Sequence, residues 1–355
     1  MIKEGLFVSP QKLWIAADAG TEIGLGHVMR CRSVARILSK RGWSITWFCA
    51  PDLMDTFREL ALPGDVKAID SRWQREGVPW QSLVKINRPD FILLDSYHLS
   101  TSVLSHLRSN KFCVGAFDDG VLSGPLPIDL LVNYSPFASS DSYGHRGVRL
   151  TLAGLKFAPL DEVFCQNSEY QQQNPRGNRL FVSFGGGDAK GLTLHFLKLL
   201  EEDSDLRQIP TDLVTGAAYA DPEKVAGKVH ALQADVRHFH NCRDMAQLMS
   251  HSRMAVSAAG STVYELAVMG VPACLAVVAD NQLATANWIQ AREAGIMIDC
   301  RERIPSTDLR LGILNLWNDD FRLRQMRGEL PSLCDGLGAV RIADAIEASV
   351  LEVAT

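Results

Sequence analysis

The stretch IAADAGTEIGLGHVMRC, Ile15–Cys31, decides the reading of the fold. It carries the apolar run LWIAA (Leu13–Ala17) past Asp18, through a loop with Gly20, Gly24 and Gly26, into a helical pattern from about His27 to Lys40. A strand that enters a helix through glycines opens a parallel α/β unit. The glycines permit tight turns and close backbone approach to a ligand. The helix start offers free N–H groups and a partial positive charge, which suit a phosphate or a developing anion. The same field disfavours a protonated imidazole, so His27 is expected to be neutral and able to accept a proton, with Arg30 one turn on pushing the same way. The spacing is not the dinucleotide fingerprint, which needs G-x-G-x-x-G/A and an acid about 20 residues on. Met29 stands where the third glycine would be, and residues 45–48 are apolar. A plain strand-to-helix turn with an incidental histidine remains the alternative.

Outward from this stretch the alternation continues. ITWFCA (Ile45–Ala50), FILLD (Phe91–Asp95) and FCVGAF (Phe112–Phe117) are continuous apolar runs, and a strand is expected near Leu130–Asn133. Such runs suit parallel strands covered on both faces. The polar segment CQNSEYQQQNPRGN (Cys165–Asn178) reads as a linker. After it come RLFVSF (Arg179–Phe184), a GGGD turn and a helix over Ala189–Glu201. DLVTG (Asp212–Gly216), MAVSAA (Met254–Ala259) and ACLAVV (Ala273–Val278) read as strands, with helices near Asp244–Ser250 and Ser261–Met269. The tail Gly338–Val353 is amphipathic at helical spacing. The organisation is therefore two α/β domains: 1–165, a linker at 166–178, 179–335, and a final helix over 336–355. Parallel sheets bind ligands at the carboxyl ends of their strands, so two facing sheets would frame a cleft.

Composition fits this. The 355 residues are 46% hydrophobic and 22% charged, ordinary for about two globular domains. The net charge of -5 speaks against a general nucleic-acid binder. No apolar run reaches membrane-spanning length, and the N-terminus lacks a signal-peptide h-region. Eight scattered cysteines with no C-x-x-C pair read as reduced, mostly buried thiols of a cytoplasmic protein.

Further motifs carry chemistry. In LLDSYHL (Leu93–Leu99), Asp95 ends a strand and Tyr97 follows in the loop; Asp95 either faces a cleft or caps the helix near Ser100. In VSFGGGDAKG (Val182–Gly191), Gly186 and Gly187 let the chain turn under a ligand while Asp188 can cap the next helix. It is not a P-loop. SAAGSTVYELAVMGVP (Ser257–Pro272) is the most specific motif: Gly260, Ser261 and Thr262 open a helix and can hold a diphosphate on main-chain N–H groups. Glu265 is spaced either to accept from ribose hydroxyls or to complete a Thr262-x-x-Glu265 capping box. Asn281 and Gln282, in ADNQ, are expected to end the next strand and offer neutral groups to a sugar. Asp203-Ser-Asp205 is a candidate metal-binding D-x-D but reads as a solvated loop. Asp118 and Asp119 suit acid–base work or turn capping, and His238 and His240 lack a third ligand at metal spacing.

In order, D-x4-IGxGHVMRC, LLDSY, FDD, SFGGGD, AAGSTVYEL and ADNQ resemble the pseudaminic acid biosynthesis hydrolases, over about Leu13 to Asp299. The family hydrolyses UDP-2,4-diacetamido-2,4,6-trideoxy-β-L-altropyranose to the free sugar and UDP. The resemblance implies the GT-B fold of two Rossmann-like domains facing a cleft, with UDP on the second, the sugar facing the first, and the last helix returning to the first. It implies His27 as the catalytic histidine, Gly260, Ser261, Thr262 and Glu265 as nucleotide-binding residues, Asn281 in the substrate site, and no metal or cofactor; Asp18, Gly26, Arg30, Asp95, Tyr97 and Gln282 are the further candidates for substrate binding, and Gly186 and Gly187 for nucleotide binding. A metal-independent GT-B glycosyltransferase is the alternative. The sequence departs from the family at Ala16 and Asp161, where the family has arginines expected near the substrate.

Overall fold

The computed structural model describes residues 10–20, 24–84, 88–165 and 177–354. The middle of the expected linker, 166–176, and residues 21–23 of the first motif lie outside the described residues. The chain forms two compact units. Unit 1 holds 10–19, His27–Pro159 and 339–354; unit 2 holds Leu160–Gly338 together with the Gly20–Gly26 loop.

Unit 1 is built on a seven-stranded sheet in the order β3-β2-β1-β4-β5-β6-β7. Its strands are β1 (Lys12–Ala17), β2 (Ser44–Cys49), β3 (Asp65–Ala68), β4 (Phe91–Asp95), β5 (Val114–Phe117), β6 (Leu130–Asn133) and β7 (Leu150–Ala153), all parallel. The central strands β4, β5 and β6 are buried at every residue, which is why they read as unbroken apolar runs. One face packs Trp14, Phe48, Trp73 and Trp80 edge-on against one another, over Ile92 and Leu94. Ala16 lies in this cluster at 0% exposure. The position expected to face the substrate is therefore core, and a small residue fits there because the aromatic rings fill the space. The edge strands β3 and β7 escaped the sequence reading. Both are partly exposed, and Asp65 and Lys67 interrupt the apolar signal in β3.

Unit 2 is built on a six-stranded parallel sheet, order β10-β9-β8-β11-β12-β13. Its strands are β8 (Arg179–Ser183), β9 (Thr211–Thr215), β10 (Val236–His240), β11 (Ser252–Ala258), β12 (Ala273–Val277) and β13 (Gly295–Asp299). Phe196, Leu197, Val256 and Ile313 are among its fully buried residues. Truncating a buried aromatic such as Phe196 to alanine costs about 3–5 kcal/mol.

The helix Gly338–Ala354 packs in unit 1. Trp43 Nε1 donates to Glu347 at 3.1 Å, Arg41 pairs with Glu347 and Asp344, and Arg341 donates to the Lys156 carbonyl at 2.7 Å.

Both sheets reverse direction at one place: unit 1 between β1 and β4, unit 2 between β8 and β11. Loops leaving adjacent strands at such a point depart to opposite faces and leave a crevice at the carboxyl edge. The candidate residues gather at these two points.

Candidate functional site

At the β1/β4 edge, the helix Gly26–Lys40 follows β1 and carries His27 and Arg30 one turn apart on its buried side. Gly24 bridges back to Gly20 with φ +78°, a left-handed conformation that favours glycine. β4 ends on Asp95, which has no exposed surface. His27 Nδ1 lies 2.6 Å from Asp95 Oδ1. Arg30 grips the same carboxylate in a fork, Nε to Oδ2 and Nη2 to Oδ1, both at 2.6 Å. Its Nη1 donates to Asp119 Oδ1 at 2.7 Å and to the Tyr134 hydroxyl at 3.0 Å. Tyr97 donates to the other oxygen of Asp119 at 2.9 Å and sets its ring edge-on to His27 at 4.5 Å. The Arg30 guanidinium also lies over the Phe117 ring.

Burial pushes the Asp95 carboxyl up, but the Arg30 charge, with hydrogen bonds from Arg30 and His27, overrides it and holds the group below the usual carboxylate range. Burial opposes the Arg30 charge, which Asp95, Tyr134 and Asp119 nevertheless hold in place. Burial pushes the Tyr134 hydroxyl up to about 12. A carboxylate can only accept, so the contact to Asp95 puts an N–H on His27 Nδ1, which Arg30 Nη2 also approaches at 3.1 Å. Nε2 takes no hydrogen bond among the described residues.

Two expectations change here. Asp95 does not cap the following helix: Ser100 does, accepting from the Val103 amide at 3.3 Å. Arg30 does not act on His27 as an unpaired charge, because two carboxylates hold it. Of the adjacent acids, Asp118 is a turn cap that accepts from the amides of Gly120, Val121 and Leu122, whereas Asp119 joins the network. Tyr134 was not anticipated. Its signal was its place directly after β6, where loop residues meet the carboxyl edge.

At the β8/β11 edge the materials differ. Gly185 turns the chain at φ +88° after β8. Asp188 accepts from the amides of Leu192 and Thr193, at 2.9 and 2.7 Å, and so holds the start of the helix Leu192–Glu202. A Cβ on Gly216, after β9, would stand 2.5 Å from Gly186 Cα, so these loops meet backbone to backbone. After β11, Gly260 leads into the helix Thr262–Val268. Its N-cap is Ser261 and Thr262 is already helical, whereas the capping-box alternative puts Thr262 at the N-cap. Asn281 and Gln282 do not end β12; they lie in the first turn of the helix Asp280–Ala291. Gln282 Oε1 accepts from the Val278 amide at 3.0 Å, and its Nε2 comes within 3.9 Å of a Cβ position on Gly260. Asn281 is exposed at the helix start.

The remaining motifs are structurally occupied. Asp203 caps the helix Ser204–Arg207 and pairs with Arg310. His238 and His240 share the Thr215 hydroxyl, at 2.8 and 3.2 Å. All eight cysteines are free thiols. No described helix is long and apolar enough to cross a membrane.

The two parallel-sheet units give the chain the GT-B fold. Acinetobacter baumannii MurG superposes with a TM-score of 0.67 at 15% identity, over 96% of this chain and 99% of that one. No family model matches. Among curated relatives, the spore coat polysaccharide biosynthesis protein SpsG of Bacillus subtilis is 24% identical, over 92% of this chain and 95% of its own length. A Helicobacter pylori protein named as pseudaminic acid cytidylyltransferase and UDP-2,4-diacetamido-2,4,6-trideoxy-β-L-altropyranose hydrolase is 23% identical over 79% of this chain, which spans 46% of that protein. The UDP-N-acetylglucosamine--N-acetylmuramyl-(pentapeptide) pyrophosphoryl-undecaprenol N-acetylglucosamine transferase of Bordetella petrii is 23% identical over 92% of both chains.

Proposed function

We propose that this chain is a nucleotide-sugar enzyme, and specifically a hydrolase that splits a UDP-linked diacetamido-trideoxy sugar into free sugar and UDP, a step of pseudaminic acid formation. The relatives named for their chemistry act on UDP-sugars, and one is named for this hydrolysis. The observation that carries the reading is the buried His27–Asp95 pair clamped by Arg30. Asp95 fixes the imidazole tautomer and orientation; His27 Nε2 is then the base. It takes a proton from water as the water oxygen bonds to the anomeric carbon, and the C–O bond to the diphosphate breaks with its electrons leaving on UDP. Main-chain N–H groups of Gly260, Ser261 and Thr262, and the neutral amide of Gln282, hold the leaving group; Glu265 takes the ribose hydroxyls, and Gly186, Gly187 and Asn281 line the same ligand.

The second reading, a glycosyltransferase, replaces water by a sugar hydroxyl, and the Bordetella relative favours it. Reaction in ¹⁸O-labelled water with the UDP-sugar and no acceptor tests both. The hydrolase puts label in the free sugar and releases unlabelled UDP. Label in the nucleotide, or UMP as product, would sink C–O cleavage and the role of His27. Turnover only after adding an acceptor would select the transferase.

A further inference from the structure

We propose that Asp18, held by Gln74, is an acceptor subsite for the hydroxyl or amide N–H groups of the sugar part of the substrate; this rests on the nucleotide-sugar reading. Asp18 is the first residue past β1 and is 5% exposed. Ala17 pairs with Asp95 across the sheet, and the Asp18 amide donates to the Asp95 carbonyl at 2.9 Å. Asp18 thus stands one strand over from the His27–Asp95 pair, at the switch point itself.

Its two carboxylate oxygens differ. Oδ1 accepts from Gln74 Nε2. Oδ2 is buried with no hydrogen-bond partner, the only carboxylate oxygen so left among the described residues. Asp95, by contrast, has both oxygens bonded. Leaving a buried acceptor unsatisfied is costly, and such an atom calls for an explanation.

The surroundings are rigid. Trp73, beside Gln74, is buried in the core, and its carbonyl accepts from Trp80 Nε1 at 3.0 Å. The Gln74 carbonyl accepts from the Ser100 amide at 2.9 Å, which ties it to the loop that carries Tyr97. The strand beneath Asp18 is apolar at Ala16 and Trp14. The carboxylate therefore cannot turn away to a better partner. Gln74 Oε1 also takes no hydrogen bond among the described residues. What this corner presents is acceptors. Acceptors repel phosphate oxygens and select donors, so the group that completes Asp18 is on the sugar and not on the diphosphate.

Asp18→Asn tests this. Asparagine keeps a carbonyl oxygen for Gln74 and puts an NH₂ where Oδ2 was, turning acceptor into donor at constant shape. Calorimetric titration is run with UDP and with UDP-2,4-diacetamido-2,4,6-trideoxy-β-L-altropyranose. The expected result is unchanged UDP affinity and UDP-sugar affinity weakened about 5- to 100-fold. Gln74→Ala gives a second route: UDP-sugar binding falls while UDP binding holds. UDP-sugar affinity unchanged in Asp18→Asn overturns the subsite alone. A parent chain that binds neither ligand overturns the nucleotide-sugar reading, and the subsite with it.

Discussion

At the β1/β4 edge the chain buries an imidazole, a guanidinium and a carboxylate in mutual contact; at the β8/β11 edge it places glycine turns and helix starts, with the Asp188 carboxylate taken up by main-chain amides. Both edges are switch points of parallel sheets with the same strand logic. The fold therefore supplies the crevice, and the residues decide its use. Charged groups in low dielectric can move protons and fix orientation. Glycine turns with exposed amides can hold an anion without fixed side-chain charge. Under the proposed function, this contrast would divide the labour, with proton transfer assigned to unit 1 and ligand retention to unit 2.

The sharpest way to break this comparison is His27→Asn. We expect turnover to fall by about 10²–10⁴, the range of a general base. UDP affinity, measured by titration, should stay at the parent value because the proposed nucleotide site lies in unit 2. Near-full turnover in this variant would remove the chemistry from unit 1.

Next in size is Asp95→Asn. Removing one partner of a buried ion pair costs about 3–5 kcal/mol, so chemical denaturation should show a loss of that order. Because the folded Asp95 carboxyl is held below its usual range, its contribution is fully present above the unfolded value of about 3.9. It is lost as pH falls through the lower folded value. A parent-minus-variant stability difference that is constant above about pH 5 and shrinks in stronger acid is the expected profile. A difference that shrinks near neutrality would contradict the Arg30 clamp.

The smallest effect sharpens the unit 2 side. Glu265→Gln should weaken UDP binding by about tenfold, the scale of one hydrogen bond to a charged group. It should also narrow discrimination against 2′-deoxy-UDP. A lower melting temperature with discrimination intact would return Glu265 to a purely structural role.

Much of this was legible in the sequence. Strands buried on both faces, such as FILLD and ACLAV, announce themselves as continuous apolar runs. The glycine turns mark where strands hand over to helices. The parts that stayed hidden depend on contacts distant in sequence. Asp95 lies 68 residues from His27, and nothing local in LLDSYHL separates a cap from a partner. Gln74 reaches Asp18 across 56 residues from a short helical turn with no motif of its own. Ala16 looked like a missing substrate contact because family comparison sees positions and not faces; the pleat turns it into the tryptophan cluster. Asn281 and Gln282 were placed on a strand end because helix starts are hard to fix from sequence, and β12 stops at Val277.

The final helix has a consequence for biosynthesis. Residues 339–354 belong to unit 1, yet the ribosome delivers them after all of unit 2. As the chain emerges, the first sheet is made early but must wait, with Trp43, Arg41 and the Lys156 carbonyl lacking the partners they will have on that helix. Unit 2 is contiguous over most of its length and can mature first. The order of completion is thus the reverse of the order of synthesis, and the half that carries the His27–Asp95–Arg30 network is the last to be finished.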